Sequence, residues 1–512
     1  MARIPFLWLL LLGLLIRLPP LWHPVQEGQR NAQTACLTAN MLEKGRLRMD
    51  PVAPWRGGLN ARLVLELPAY NLLVLVLDSI PGVSLDLAGR LASLILWLFG
   101  FCLLQGLWRL ALPQPAWVWA NLLFVLAPMS WYMATAFMPE TLVQLLTILF
   151  IFFALQHGLH PSAINAIALV LVATLGLLVK LPSFAYLGLF LGMVLLDQRG
   201  PRGFLHPVLL AGGVLIVSSL VAWSGFVEKV NLPYFPYWAG RENLIGFIQP
   251  RLSRLSATFW VKLAGYNLAY VIPPMAAPPA IWGFLQIWKD RNSSFFSRTW
   301  LYLAASLLVS ALVWGKGPAA QNYYNLPNLL LFCALFGIGV AHWKQTSAFD
   351  FIPFPFRLSC FWIFVLTGVI WCVVGYGYLA RPDTITLQAA SWVRQNAQEG
   401  DLILYQPRHS SSVMDYEHQP LLSHSSGHRS WIWTRSTPEW EKQRAMETST
   451  FLIVTLPPDH TDFWEVLRRK ARCSAPAPPN SVATLYPDHF LIICSQKDFE
   501  VYRNTLPETL SH

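Results

Sequence analysis

The sequence predicts an all-α polytopic membrane protein with a small C-terminal α/β domain, and three observations point there. The chain of 512 residues is 54% hydrophobic and only 12% charged; soluble proteins carry about 25% charged residues. Its mean hydropathy is +0.43, and apolar runs long enough to cross a bilayer recur up to residue 380. Beyond that point the runs become short and are separated by polar segments. The 23 tryptophans and 30 phenylalanines suit rings placed at membrane interfaces.

The spans come first. Runs of adequate length lie at 4–22, 86–108, 115–133, 139–157, 162–179, 182–198, 204–224, 266–288, 298–315, 326–342 and 358–380, about eleven in all, each near the 20 residues a helix needs to cross. Arg3 before an apolar run resembles a signal peptide. RLPPLWHP follows in place of a small-residue cleavage site, which predicts an uncleaved first helix. The run PAYNLLVLVLDSIPG (68–82) is too short to cross and is bounded by prolines, so it reads as an interfacial or re-entrant helix.

Orientation follows from the short loops. With the N-terminus cytoplasmic, the inner loops hold Arg109, Arg199, Arg202, Lys289, Arg291, Arg298, Lys344 and Arg357. The short outer loops hold only Lys180 and Lys316, as the positive-inside rule requires. Residues 1–380 then form a membrane domain whose first outer loop is 23–85, and an odd number of spans leaves 381–512 on the extracytoplasmic side.

In that last region LQAASWVRQNAQEG has helical spacing and ends at Gly400, while DLILYQP, FLIVTLPP and HFLIICSQ read as short buried strands. FWEVLRRKAR reads as a further helix. The stretch HSSSVMDYEHQPLLSHSSGHRSW matches no metal-ligand spacing and contains no G-x-S-x-G elbow, so a solvated loop is expected. Cys473 and Cys494 share the region, where an extracytoplasmic setting would permit a disulfide.

The net charge of +10 is dispersed through loops, with no dense basic run, so membrane orientation and anionic lipid account for it and nucleic acid is excluded as a partner. The seven cysteines show no metal spacing. The informative charges gather at the outer ends of helices and in outer loops: Glu27, Arg30, Asn31, Glu66, Tyr70, Glu140, Lys180, Tyr323 and Tyr324. Charge at that depth is costly unless paired or facing water, so convergence on one side predicts a site. From Glu27 to Met41, small residues recur at Ala32, Ala35 and Ala39, predicting a helix along the membrane surface with Gly45 as its stop. Glu27 and Arg30 stand together at its start. Glu140 opens a membrane helix after Pro139, a position that favours an acid by itself. Arg17, at the outer end of the first helix, reads as a snorkelling residue within reach of a phosphate.

EGQRNAQTACLTANMLEKG, ELPAY, GRLAS, MPE, Lys180 and QNYYNLP, in that order, resemble the GT-C glycosyltransferases. They are most similar to the glycosyltransferase family 39-like branch of aminoarabinose transferases and protein O-mannosyltransferases. The resemblance spans about residues 1–380 and lies in the order and placement of the motifs. It implies a GT-C-like membrane domain that moves a sugar from a polyprenyl-phosphate donor to a lipid, glycan or protein acceptor, in the plasma or inner membrane of a bacterium.

Carried over by position, Glu27 takes the place of the family's first acidic residue, Gly28 the acidic one after it, and Arg30 the arginine. Glu66, Leu67 and Pro68 stand where the family has Glu-Lys-Pro. Glu140 matches the acid of the second outer loop, Lys180 the lysine associated with lipid phosphate, and Tyr323 and Tyr324 the late tyrosine pair. The roles implied are Glu27 as base, Arg30 and Lys180 at the phosphate, and Glu66 and Glu140 around sugar and acceptor; Asn31, Tyr70, Tyr323 and Tyr324 would contact substrate. A divalent metal, Mg or Mn, would fall to Glu27 and Glu140 if one is used. Two departures stand out: Glu27 is a methylene longer than aspartate, and Leu67 removes a cation. Two other classes fit part of the pattern, a transporter or flippase of a lipid-linked or small polar substrate, and an inactive GT-C-like assembly subunit. A transporter would show internal repeats and midplane charge, and neither is evident.

Overall fold

The structure, a computed structural model, describes residues 3–22, 29–43, 45–54, 61–233, 256–313, 322–345, 354–380, 384–397, 402–406, 419–426, 429–432, 451–456 and 490–495. The chain divides into two compact units. The first is Met1–His23 with Val64–Arg381, the second Pro24–Leu63 with Pro382–His512.

The first unit is helical. Its opening helix is α1 (Arg3–Arg17); α2 belongs to the second unit, and α3 (Ala69–Asp78) is the short apolar helix between prolines expected at 68–82. Long helices follow at α4 (Leu85–Ala111), α7 (Glu140–Leu159), α8 (Ala163–Phe184) and α10 (Pro207–Asn231), with α9 (Tyr186–Arg199) between the last two. Ser84 and Ser162 cap α4 and α8 by accepting from the amides of Leu87 and Asn165, at 3.4 and 3.1 Å.

Two expected spans are broken. Run 115–133 forms α5 (Gln114–Leu126) and α6 (Pro128–Thr135), bent by 56°. Pro128 cannot donate the amide that would continue α5. Run 266–288 bends by 103° between Ala257–Val271 and Pro274–Asn292. There α11 (Ala257–Tyr266) runs into a π turn at Asn267–Val271, and Pro273 and Pro274 precede α12 (Ala277–Lys289). The unit closes with α13 (Phe295–Val313), α14 (Asn328–Gln345) and α15 (Phe354–Leu379). Among the described residues five helices are long and apolar enough to cross a membrane, or seven if each bent pair is one span. The protein is an integral membrane protein.

Its core is an aromatic stack joining α1, α4 and α5. Trp97 lies 5.4 Å from Phe101, which lies 6.1 Å from Phe124 and 5.5 Å from Phe6, all near parallel. Arg17 does not snorkel. It is fully buried over the Trp97 ring, 3.9 Å from its centroid, and donates to the carbonyls of Gly13 and Val125 and to Ser130 Oγ. The α5–α6 break exposes the Val125 carbonyl, and the guanidinium satisfies it. Further along, Gly283 of α12 and Gly339 of α14 let two backbones meet: a Cβ on either would run into a carbonyl of the opposite helix.

In the second unit α2 (Gln29–Ala39) is buried on every side from Asn31 to Thr38, where a single buried face was expected. Small side chains permit that packing, and Thr34 and Thr38 donate their hydroxyls to the carbonyls of Arg30 and Thr34. Gly45 does not stop the helix, which ends at Ala39. It turns the hairpin of β1 (Leu42–Glu43) and β2 (Arg46–Leu47) with φ 75°. Helix α16 (Thr384–Asn396) and a four-stranded sheet follow, with strand order β4-β3-β5-β6. The strands are β3 (Leu402–Gln406), β4 (Arg429–Ile432), β5 (Phe451–Leu456) and β6 (Phe490–Ser495); β3 is parallel to β4 and β5, and β6 antiparallel to β5. Within the Ser/His-rich stretch expected as a loop, residues Gln419–Ser426 form α17, which packs against α2 and α16. FWEVLRRKAR and Cys473 lie outside the described residues.

Candidate active site

The site is set by two prolines. Pro139 precedes α7 and makes Glu140 its first residue, the end of a helix where an acidic side chain is favoured. Pro182 sits inside α8, where its ring opposes the carbonyl four residues back, and Lys180 leaves helical geometry with φ −158° and ψ 81°. Helices α7 and α8 are antiparallel neighbours, so the start of one and the end of the other share one end of the bundle.

Lys180 Nζ donates to Glu140 Oε1, and the two side chains are only 5% and 3% exposed. An ion pair this deep gives up most of its hydration, and removing Lys180 leaves the Glu140 carboxylate buried. The ammonium also lies 5.2 Å from the centroid of the Tyr324 ring.

Pro182 has a second effect. It has no N–H for the Leu178 carbonyl, and the amide of Leu67 takes that role at 3.0 Å. The ELP segment is thereby docked on the bend that carries Lys180, and Glu66 precedes the docked residue. Sequence positions 66, 140 and 180 are thus brought into one region of the first unit.

Below the ion pair a pocket runs between α7, α8 and the segment before α14. Glu140, Gln144 and Thr147 line it at one-turn intervals, Lys180 and Ser183 face them from α8, and Leu326, Pro327 and Leu330 close it. Glu140 Oε2 and Gln144 Nε2 are buried without a hydrogen-bond partner among the described residues. One accepts and the other donates, a pair matched to a hydroxyl group.

Three asparagines hold the closing segment. Asn328 Nδ2 donates to Asn267 Oδ1 at 2.8 Å, Asn267 Nδ2 donates to the Leu263 carbonyl at 2.7 Å, and Asn325 Oδ1 receives longer contacts of 3.4 Å from both side chains. The cluster ties the π turn to Asn322–Asn325 and so fixes Tyr324 above Lys180.

The other expected residues fall elsewhere. Tyr70 is buried, and its hydroxyl donates to the Gly89 carbonyl at 2.6 Å and lies 2.9 Å from Ser93 Oγ, which joins α3 to α4. Arg30 and Asn31 belong to α2 of the second unit; Arg30 donates to Gln33 Oε1 at 3.3 Å. Glu27, Gly28 and the Tyr323 side chain lie outside the described residues. Among the described residues no group of three or more His, Cys, Asp or Glu side chains fits a metal ion. Glu140 already faces an ammonium, and a divalent cation beside Lys180 would add like charge.

Residues that sequence reasoning missed are Gln144, Asn267, Asn325, Asn328, Asn231 and Arg90. Gln144 had a usable signal, an amide one turn below Glu140 in an apolar helix. Arg90, inside the GRLAS motif, donates to the carbonyls of Pro20 and Thr135 at 3.1 and 3.0 Å, and closes the end of α6.

No protein-family model matches the chain, and no curated protein matches it in sequence. Solved structures do match its fold. ArnT from Cupriavidus metallidurans bound to undecaprenyl phosphate aligns at TM-score 0.66 and 15% identity over 96% of this chain and 97% of that one. The Archaeoglobus fulgidus oligosaccharyltransferase AglB, in complex with an inhibitory peptide and a dolichol-phosphate, aligns at TM-score 0.56 and 11% identity over 88% and 69%. An Archaeoglobus fulgidus oligosaccharyltransferase in complex with Zn and sulfate aligns at TM-score 0.54 and 13% identity over 88% and 67%. The chain has the GT-C fold along nearly its whole length.

Proposed function

We propose that the protein is a membrane glycosyltransferase that moves a sugar from a polyprenyl-phosphate carrier to a lipid, glycan or protein hydroxyl. The reaction is placed at the extracytoplasmic face of a bacterial inner membrane, with the N-terminus cytoplasmic and residues 381–512 outside. The observation that carries the reading is the buried Glu140–Lys180 pair, built beside the docked ELP segment in a chain of this fold. The pair lines a pocket that also holds Gln144, Thr147 and Ser183 between apolar helices, and buried charge of this kind marks function more often than stability. The bound carriers in the ArnT and AglB structures support a lipid-linked donor.

The step is a displacement at the anomeric carbon. The acceptor oxygen forms a bond to that carbon while the bond to the phosphate oxygen breaks, and the polyprenyl phosphate leaves with the electron pair. The acceptor proton passes to a carboxylate, assigned to Glu27. Arg30 and Lys180 balance the charge gathering on the phosphate. Glu140 Oε2 and Gln144 Nε2 orient a hydroxyl of the sugar or acceptor, and Glu66, next to the docked Leu67, is assigned to the same step. Tyr324 keeps the ammonium in place through its ring.

The test is transfer from undecaprenyl-phosphate-linked sugars by the full chain in lipid nanodiscs. Glu27→Gln and Glu140→Gln are each expected to reduce turnover by about a hundredfold or more while the protein stays folded. Normal turnover in both variants removes the carboxylates from the reaction.

A further inference from the structure

Asn231, the last residue of α10, is fully buried and far in sequence from every residue placed in the reaction. Its side chain pairs with one residue of the ELP approach as a neighbouring β-strand would. The Val64 amide donates to Asn231 Oδ1 at 2.8 Å, and Asn231 Nδ2 donates to the Val64 carbonyl at 2.7 Å. Three residues on, the Leu67 amide is held by the Leu178 carbonyl at 3.0 Å. Glu66 lies between these two fixed points, one residue before the second.

The arrangement is specific. A side-chain amide has one acceptor and one donor on the same plane, the complement of a single peptide's C=O and N–H. Val64 is itself 3% exposed, so neither of its backbone groups has water as an alternative partner. The Leu67 contact exists only because Pro182 leaves the Leu178 carbonyl unclaimed. The two tethers come from different helices, α10 and α8, and together they remove the freedom of residues 64–67 to shift along the chain or rotate.

We infer that Asn231 is a positioning residue for Glu66: with the proline-freed carbonyl of Leu178, it fixes the backbone that presents this carboxylate to the reacting groups. The inference rests on the glycosyltransferase reading, because only there does Glu66 border the reaction. A misplacement of about 1 Å at a reacting group costs about a hundredfold in rate.

Two variants and two readouts test it in the full chain in nanodiscs. Asn231→Leu removes both hydrogen bonds at similar volume, and hydrogen–deuterium exchange at the Val64 and Leu67 amides is expected to rise at least tenfold. Turnover from an undecaprenyl-phosphate-linked sugar is expected to fall by tenfold to a hundredfold, with undecaprenyl phosphate affinity within twofold of the parent. Asn231→Asp keeps the acceptor and regains a donor only when protonated, so its turnover is expected to recover as pH falls, a profile the parent lacks. Unchanged exchange at both amides in Asn231→Leu overturns the tether. Raised exchange with unchanged turnover overturns the positioning role, as does a joint loss of thermal stability, carrier affinity and turnover in both variants. Absence of sugar transfer by the parent, with exchange still responding, refutes the glycosyltransferase reading and with it the role given to Glu66, while the tether itself stands.

Discussion

Two groups of paired charges among the described residues, one taken from each unit, obey different physics. In the first unit Glu140 and Lys180 are nearly sealed from solvent and each offers the other a single contact. In the second, Glu43, Asp50, Arg48 and Arg62 form a four-membered network between the β1–β2 hairpin and the segment around Arg62. Arg48 Nε and Asp50 Oδ1 are 3.0 Å apart, Arg62 and Glu43 are 2.9 Å apart, and side-chain exposures run from 20 to 42%. The buried pair carries a larger desolvation cost, yet it borders the pocket. The exposed network keeps good geometry and ready access to water. Contact quality is therefore a poor guide to which charges matter, and solvent access is the better one.

The comparison is broken most sharply by Lys180→Ala. It leaves the Glu140 carboxylate buried against apolar helices, at a cost of about 3–5 kcal/mol, read as a lowered thermal midpoint in nanodiscs. The double variant Glu140→Gln/Lys180→Met is expected to regain most of that stability and none of the sugar transfer. Recovery of transfer would show that the pair is structural.

Gly283→Ala is expected to cost about 1–3 kcal/mol by forcing α12 away from α14, measured by the same thermal assay. It separates general packing loss from charge loss, since carrier affinity should hold in the fraction that remains folded. Arg62→Ala removes two members' partner from the exposed network and is expected to cost about 0.2–1 kcal/mol, with the difference vanishing at high salt. A loss as large as that of Lys180→Ala would erase the contrast.

The smallest effect is on pH. Burial raises the Asp50 carboxyl, but the hydrogen bond from Arg48 and the charges of Arg62 and Arg48 outweigh it and leave it below its usual 3.8. The folded state binds this proton less readily than the unfolded one. Asp50 therefore contributes its stability fully above about pH 4, and loses it as pH falls through the depressed value. Asp50→Asn is expected to flatten that acid limb by lowering the pH 6–8 midpoint slightly while leaving the acid end little changed.

The sequence made the apolar helices visible because bilayer-length runs carry their own signal, and the short helix between Pro68 and Pro81 followed from length alone. Glu140 and Lys180 were legible as charges misplaced in apolar surroundings. Their pairing was not, since it needs α7 and α8 antiparallel and a bend at Lys180. Arg17 reads as a snorkelling residue until the break at Pro128 supplies a carbonyl for it. Gly45 illustrates a degeneracy: a helix stop and a hairpin turn both want positive φ, and only strand pairing distinguishes them. Asn231 carried no signal at all, because a lone asparagine at a helix end is ordinary until its partner 167 positions earlier is known.

Pro182 has a consequence for how the bundle is assembled. Residue 67 is synthesised more than a hundred residues before residue 178, so the Leu67 amide enters its apolar surroundings long before the carbonyl that satisfies it exists. Each group is a liability alone and an asset once joined. The bend in α8 thus works as an assembly checkpoint: a chain that misplaces its first loop keeps two unmatched polar groups, and only correct docking cancels both.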